Sequence, residues 1–303
     1  QKLDIDLSLC PPLVEAQDFV GTLTSEAAQE TGLNEQTRVF AGGADNACGA
    51  IGSGILSSGK TMCSIGTSGV VLSYEETGDL DFGGQVHYFN HAKKGSFYSM
   101  GVTLAAGYSF DWFRKTFAAD SSFEAIINQI SKSPVGSKGL LFTPYIVGER
   151  TPHADSSIRG SFIGVDATHT KWDFARAVLE GITFSLNESI NILKSSGKTI
   201  QEIISIGGGA KSEEWLQMQA DIFNAPIIKL TNEQGPGLGA AMLAAVGCEW
   251  FPTLEACSET FIQYEKTIKP IEENVKRYEE LYTLYQQIYE NTRAINVGLE
   301  QFR

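Results

Sequence analysis

One carboxylate, Asp45, stands directly after Gly42-Gly43-Ala44, and about twenty residues later the chain reads Gly66-Thr67-Ser68-Gly69. Eight glycines fall in the 28 residues from Gly42 to Gly69. A Gly-Thr-Ser-Gly turn carries two hydroxyls and leaves its N–H groups open to close approach by an anion, because no bulky Cβ stands in the way. A glycine-rich hairpin with no ligand is the plainer reading of the same residues. No Lys follows in P-loop register and the flanks read as strands, so the turn is neither a Walker A loop nor a dinucleotide fingerprint. Asp45 admits two roles as well. It could cap a helix, or it could accept a hydroxyl proton and aim that oxygen at an electrophile such as phosphorus.

A third glycine cluster, Gly207-Gly208-Gly209, ends an apolar run and precedes Ser212. Such a corner lets a flat ring or a ribose lie against backbone and offers the free N–H groups of a helix start. Residues 235–245, "GPGLGAAMLAA", repeat the small-residue theme, and tight helix packing accounts for most of them. The loop 148–160 gathers Glu149, Arg150, His153, Asp155 and Arg159. A charged loop of this kind is usually solvated surface, although Glu149 and Arg150 could order a hinge. The chain has no G-x-S-x-G elbow, which argues against a serine hydrolase. His87 and His91 fall on an expected strand, where four residues separate side chains by roughly 13 Å, too far to share a metal.

These residues need rigid elements to hold them. Residues 61–65 and 70–74 predict a strand-turn-strand hairpin around 66–69, preceded by a strand over 37–43 and a small-residue helix opening at Asp45. A capped helix is expected from Thr24 to Gly32, and further strands at 85–90, 96–102 and 140–144. Apolar residues at three- and four-residue intervals predict a long amphipathic helix over 170–195. Strand 202–206, helix 213–224, strand 226–230 and a helix opening at Pro236 then alternate as in an α/β layered domain. One polar helix is expected over 272–299.

Composition narrows the partners. The 303 residues carry a formal net charge of −13 with no dense Lys/Arg cluster, so the general field repels nucleic acid and anionic lipid. No apolar run reaches the roughly 18 residues of a membrane helix. Five cysteines without a C-x-x-C pair fit free thiols in a reducing cytoplasm better than a disulfide framework or a zinc site. There is no basic segment followed by an apolar core at the start, and no initiator methionine, so the chain is expected to be an excised or processed piece.

The order of the motifs carries more than any one of them. An Asp after a Gly-Gly turn, a Gly-Thr-Ser-Gly hairpin, the "GERTP" loop ending in "RGSFIG" and the Gly-Gly-Gly-Ala corner resemble the FGGY family of carbohydrate kinases, of the ribonuclease H-like, actin-like ATPase superfold. Gly160, Phe162, Gly164, Asp173, Ala177 and Glu180 match the family's second signature. "GGADNACGA" and residues 99–113 are most like the xylulokinase branch. The resemblance implies a second lobe with a mixed sheet flanked by helices (58–303), preceded by the end of the first, sugar-binding lobe (1–57). It implies transfer of the γ-phosphoryl of ATP, with Mg²⁺, to D-xylulose, with Asp45 as the base. It places phosphate contacts at Gly66, Thr67 and Ser68, and adenosine contacts at Gly208, Gly209 and Ser212, with further nucleotide contacts at Gly107 and Asp111. No protein metal ligand is assigned in this chain, and the family implies a cytoplasmic homodimer. Without the first lobe's Asp-x-Gly-Thr/Ser turn, this piece alone is expected to be inactive. Two alternatives stand beside this reading: another FGGY kinase, for gluconate, ribulose or another pentulose, and a non-enzymatic actin-like ATP-binding module.

Overall fold

Alternate residues of the central strands are apolar on both parities, which requires a sheet covered on both faces. A computed structural model of the chain describes residues 6–303 and shows that arrangement. At its start β1 (Phe19–Thr22) and β2 (Arg38–Phe40) pair antiparallel around α1 (Ser25–Thr31). The Thr24 hydroxyl caps α1 by accepting the Ala27 N–H at 3.1 Å, and Gly32 ends it in the left-handed region. Then come α2 (Asp45–Gly52), β3 (Lys60–Ile65), β4 (Gly69–Glu75), β5 (His87–Asn90) and β6 (Phe97–Thr103). Helices α3 (Gly107–Phe117) and α4 (Phe123–Ile130) lead to the small pair β7 (Leu141–Thr143) and β8 (Ser161–Ile163). The rest alternates: α5 (Lys171–Ser195), β9 (Glu202–Gly207), α6 (Glu213–Phe223), β10 (Ile227–Leu230), α7 (Gly235–Gly247), α8 (Leu254–Phe261) and β11 (Tyr264–Ile268). Two helices, α9 (Glu272–Tyr285) and α10 (Ile288–Leu299), close the chain.

The main sheet has seven strands in the order β11-β10-β9-β3-β4-β6-β5, parallel only where β3, β9 and β10 meet. Its odd-numbered core residues, Cys63, Val71, Ile203 and Ile227, pack with α5 and α6 on one face. The even-numbered Met62, Leu72, Ile204 and Ile228 pack with α2 and α7 on the other. On that second face the two helices touch backbone to backbone. A Cβ on Gly239 would lie 1.8 Å from the Cys48 carbonyl oxygen, and one on Gly52 would lie 2.3 Å from that of Gly235. The small residues of 235–245 therefore serve close packing, as their composition implied.

The second-signature acids are anchors for the segment between α4 and β7. Asp173 accepts from Ser133 Oγ at 2.7 Å and Lys138 Nζ at 3.0 Å, while closing a capping box with Thr170. Glu180 accepts from Gly136 N–H at 2.9 Å, Ser137 Oγ at 2.8 Å and Tyr278 Oη at 2.7 Å. Both are buried on α5 and hold a loop with little regular structure of its own.

The single helix expected over 272–299 is two helices broken at Gln286-Gln287. Glutamine does not break helices; tertiary packing does it here. Tyr285 is buried and its hydroxyl donates to Tyr145 Oη at 3.4 Å, whereas Tyr289 stacks on His153 with centroids 3.7 Å apart. Helices α3, α4 and α8 and strands β1 and β11 also go beyond the sequence expectation, whereas β8 falls on the glycine-aromatic-glycine segment 160–164 where the family signature has a strand.

Candidate functional site

Strands β3 and β4 pair down to Ile65 opposite Gly69, which leaves residues 66–68 as the turn. Inside it the Gly66 N–H donates to the Ser68 carbonyl at 3.0 Å. The other contacts come from α3: its Gly107 N–H donates to the Gly66 carbonyl at 2.8 Å and its Tyr108 N–H to the Thr67 carbonyl at 3.1 Å. In a planar trans peptide the carbonyl and the following N–H point opposite ways. Holding those two carbonyls inward therefore turns the Thr67 and Ser68 N–H groups outward. Among the described residues neither finds an acceptor, and both residues are exposed. The geometry is an anion cradle built from backbone, with two hydroxyls beside it.

Gly107 is required for this docking, since a Cβ there would sit 2.4 Å from the Gly66 carbonyl oxygen. Gly107→Ala is expected to push α3 off the turn at a stability cost of roughly 1–3 kcal/mol. Thermal unfolding of the variant beside the wild-type chain measures that cost.

Next to the turn lies a cavity of about 880 Å³, within the size range of small-molecule sites. Six of the residues expected to meet a nucleotide line it: Gly66, Thr67, Gly107, Asp111, Gly208 and Ser212. The other two do not. Ser68 is exposed on the same turn, whereas Gly209 is buried, with space for a Cβ blocked by the Ile65 side chain at 2.6 Å. Gly209 thus seats the corner on β3 instead of facing a ligand.

Two lining residues carry bonds of their own, and the first of them fills the N-cap place expected of it. Ser212 is the N-cap of α6, accepting from the Trp215 N–H at 3.3 Å and donating to Glu214 at 2.8 Å. Asp111 is paired with Lys115 at 2.6 Å and Arg114 at 3.0 Å, and these partners hold its carboxyl below the usual range. The sequence expectation did not include the apolar wall: Phe110, Phe123, Ile127 and Trp215 line the cavity, with the Phe110 and Trp215 rings edge to face at 5.9 Å. Phe110 and Trp215 sit one turn inside α3 and α6, so helical spacing from Gly107 and Ser212 was the signal that pointed to them.

Asp45 lies apart from that cavity. It is exposed at the first position of α2, and the N-cap is Ala44, which makes no side-chain capping bond. Its Oδ1 accepts from the Asn46 N–H at 2.7 Å and from Asn46 Nδ2 at 3.2 Å. The capping role is therefore not the one it plays, and among the described residues its second oxygen has no hydrogen-bond partner. Among the described residues no cluster of three His, Cys, Asp or Glu side chains converges as a metal site. His91 is buried beside Tyr74 and Tyr98, and burial pushes its imidazole down to about 4. The five cysteines are unpaired.

The loop 148–160 is not solvated surface throughout. Glu149 is 3% exposed. Its carboxylate accepts the Leu104 N–H at 2.9 Å, the Arg150 N–H at 2.7 Å, the Ser185 hydroxyl at 3.2 Å and the Thr103 hydroxyl. Burial pushes its carboxyl up to about 7, with Glu188 adding a smaller push in the same direction. A carboxyl raised in the folded state stabilises the fold fully below its unfolded value of 4.5, and that contribution is lost as pH rises through about 7. The thermal midpoint is expected to fall between those two pH values, and Glu149→Gln to flatten the fall, as differential scanning calorimetry would show.

Known proteins resemble this chain in sequence and in fold. Residues 61–248 match the C-terminal domain of the FGGY family of carbohydrate kinases. The xylulose kinase of Bacillus subtilis is 60% identical over 302 residues, 100% of this chain and 60% of that protein. A ligand-bound xylulose kinase from Lactobacillus acidophilus superposes with a TM-score of 0.90 at 28% identity, covering 96% of this chain and 59% of that one. A gluconate kinase from the same organism superposes with a TM-score of 0.89 at 29% identity, with the same coverage of both chains. The chain thus spans about three fifths of the length of these relatives. The family match covers more than half of the chain and takes in the hairpin, the glycine corner and the second-signature helix, so the chain belongs to the FGGY family of carbohydrate kinases.

Proposed function

We propose that the chain forms the nucleotide-holding part of an ATP-dependent kinase for D-xylulose, yielding D-xylulose 5-phosphate and ADP. The observation that carries this reading is the outward pair of N–H groups at Thr67 and Ser68, set at the mouth of a cavity with an apolar wall. The phosphates would lie on the turn, and the adenosine would reach back past Gly107 and Asp111 to Gly208 and Ser212, against the wall that Phe110 and Trp215 form. The substrate's Mg²⁺, bound to the phosphates, offsets their charge. Asp45 accepts the proton of the sugar's 5-hydroxyl as that oxygen forms its bond to the γ-phosphorus and the bond to the ADP oxygen breaks. Positioning supplies most of the rate, because the turn and α2 are both held by backbone contacts and need no reorganisation. We place this activity in the cytoplasm, in a homodimer. The similarity to the B. subtilis xylulose kinase supports the choice of sugar.

The comparable likeness to a gluconate kinase keeps one rival in view. A coupled ADP-release assay of the complete kinase with D-xylulose, D-ribulose and D-gluconate tests the assignment. Highest kcat/KM for D-xylulose supports it, and a preference for gluconate replaces it. Calorimetric titration of this chain with ADP tests the nucleotide site separately.

A further inference from the structure

Glu149 is not an expected nucleotide contact, and it lines none of the cavity. Yet its bonds converge on one place. Thr103 is the last residue of β6, Leu104 is the first after it, and both donate to this one carboxylate. Ser185 of α5 donates to it as well and also bridges to Thr103 Oγ1 at 3.1 Å. Glu149 is itself fixed, because its N–H and carbonyl exchange bonds with Asp155 at 2.8 and 2.9 Å. The next residue but one, Thr151, pairs with Val102 of β6 in both directions, at 2.9 and 3.1 Å. A buried carboxylate with no cationic partner among the described residues is costly unless hydrogen-bonded, and three of the four donors that meet this cost come from the end of β6 and from α5. Three residues beyond Leu104, α3 begins, and its first two N–H groups are the ones that turn the Gly66 and Thr67 carbonyls inward.

We infer that Glu149 is a positioning residue for the phosphate turn. Through Thr103 and Leu104 it fixes where α3 starts, and through α3 it fixes the direction of the Thr67 and Ser68 N–H groups. The inference rests on the reading of the cavity as a nucleotide site. It separates two parts of one ligand: phosphate binding depends on Glu149, whereas adenosine binding at Gly208 and Trp215 does not.

The test is calorimetric titration of this chain with ADP and, separately, with adenosine. Glu149→Ala is expected to weaken ADP binding at least about tenfold and to leave adenosine binding within about twofold, as for loss of a buried charge-assisted contact. Glu149→Gln keeps an acceptor oxygen for Leu104 and is expected to restore most of the ADP affinity. Thr103→Val, which removes the hydroxyl link at constant shape, is expected to lower the ADP-to-adenosine affinity ratio about threefold, the loss of one net hydrogen bond. A merely structural role would lower the melting temperature and leave that ratio alone. An unchanged ratio in folded Glu149→Ala overturns the inference; if that variant fails to fold, an unchanged ratio in Thr103→Val does so. Wild-type chain that binds neither ligand overturns the nucleotide reading instead, and the inference with it.

Discussion

Asp45→Asn in the complete kinase will leave ADP affinity within about twofold and cut phosphoryl transfer by about 10²- to 10⁴-fold, the range for losing a positioned general base. The separation follows from placement. Asp45 is outside the cavity that Gly66, Gly107 and Ser212 line, so nothing in the nucleotide's own contacts changes. The substitution is also close to isosteric at an exposed helix start whose cap is Ala44, so the fold has no bond to lose there beyond those to Asn46. Asn keeps the oxygen that these bonds use and removes the basicity that the proposed proton transfer from the sugar hydroxyl requires. Single-turnover transfer to D-xylulose, with ADP binding measured in parallel, decides the matter. Transfer above a few per cent of wild type would remove Asp45 from the role of base.

The second large effect is on stability. Gly239→Val will destabilise the chain by at least about 3 kcal/mol, a fall in melting temperature of roughly 6–12 °C. The β-carbon alone would lie 1.8 Å from the Cys48 carbonyl oxygen and 2.6 Å from its carbonyl carbon, and both are backbone atoms that cannot rotate away. Relief requires α2 and α7 to separate, which exposes core residues such as Ala47, Ile51, Met242 and Leu243. Gly237 on the same helix has nothing within 4 Å of a β-carbon. Gly237→Ala is therefore the matched control, expected to raise stability by up to about 1 kcal/mol through helix propensity. Scanning calorimetry of the pair compares the two; equal melting temperatures would mean that the helices are not in backbone contact.

What the sequence disclosed depended on where the controlling partner lies. The turn 66–68 was legible because Gly, Thr and Ser between two apolar runs act locally, and α1 was legible because Thr24 and Gly32 bracket it. Helix α3 was not, because its N-cap, Ala106, makes no side-chain bond and its first N–H groups are satisfied by carbonyls some forty residues earlier. No window along the chain holds that information. Helix α4 is a different case: its start signal is local, Ser122 accepting from the Ala125 N–H at 3.1 Å, but no helix was expected there. Glu149 shows the limit for side chains. Its neighbours in sequence are exposed Arg150 and a glycine, and only the fold brings Thr103, Leu104 and Ser185 to it. The break at Gln286-Gln287 has the same origin, in aromatic contacts with a loop more than a hundred residues away.

The close approach of α2 and α7 also bears on motion. Two helices whose backbones touch without intervening side chains fluctuate as one beam, and the segment just before α7 reaches the glycine corner directly, where Glu233 accepts the Gly207 N–H at 2.6 Å. Asp45 is thereby yoked to the corner that would hold adenosine. A displacement of α7 and the glycine corner therefore carries the start of α2, and Asp45 with it.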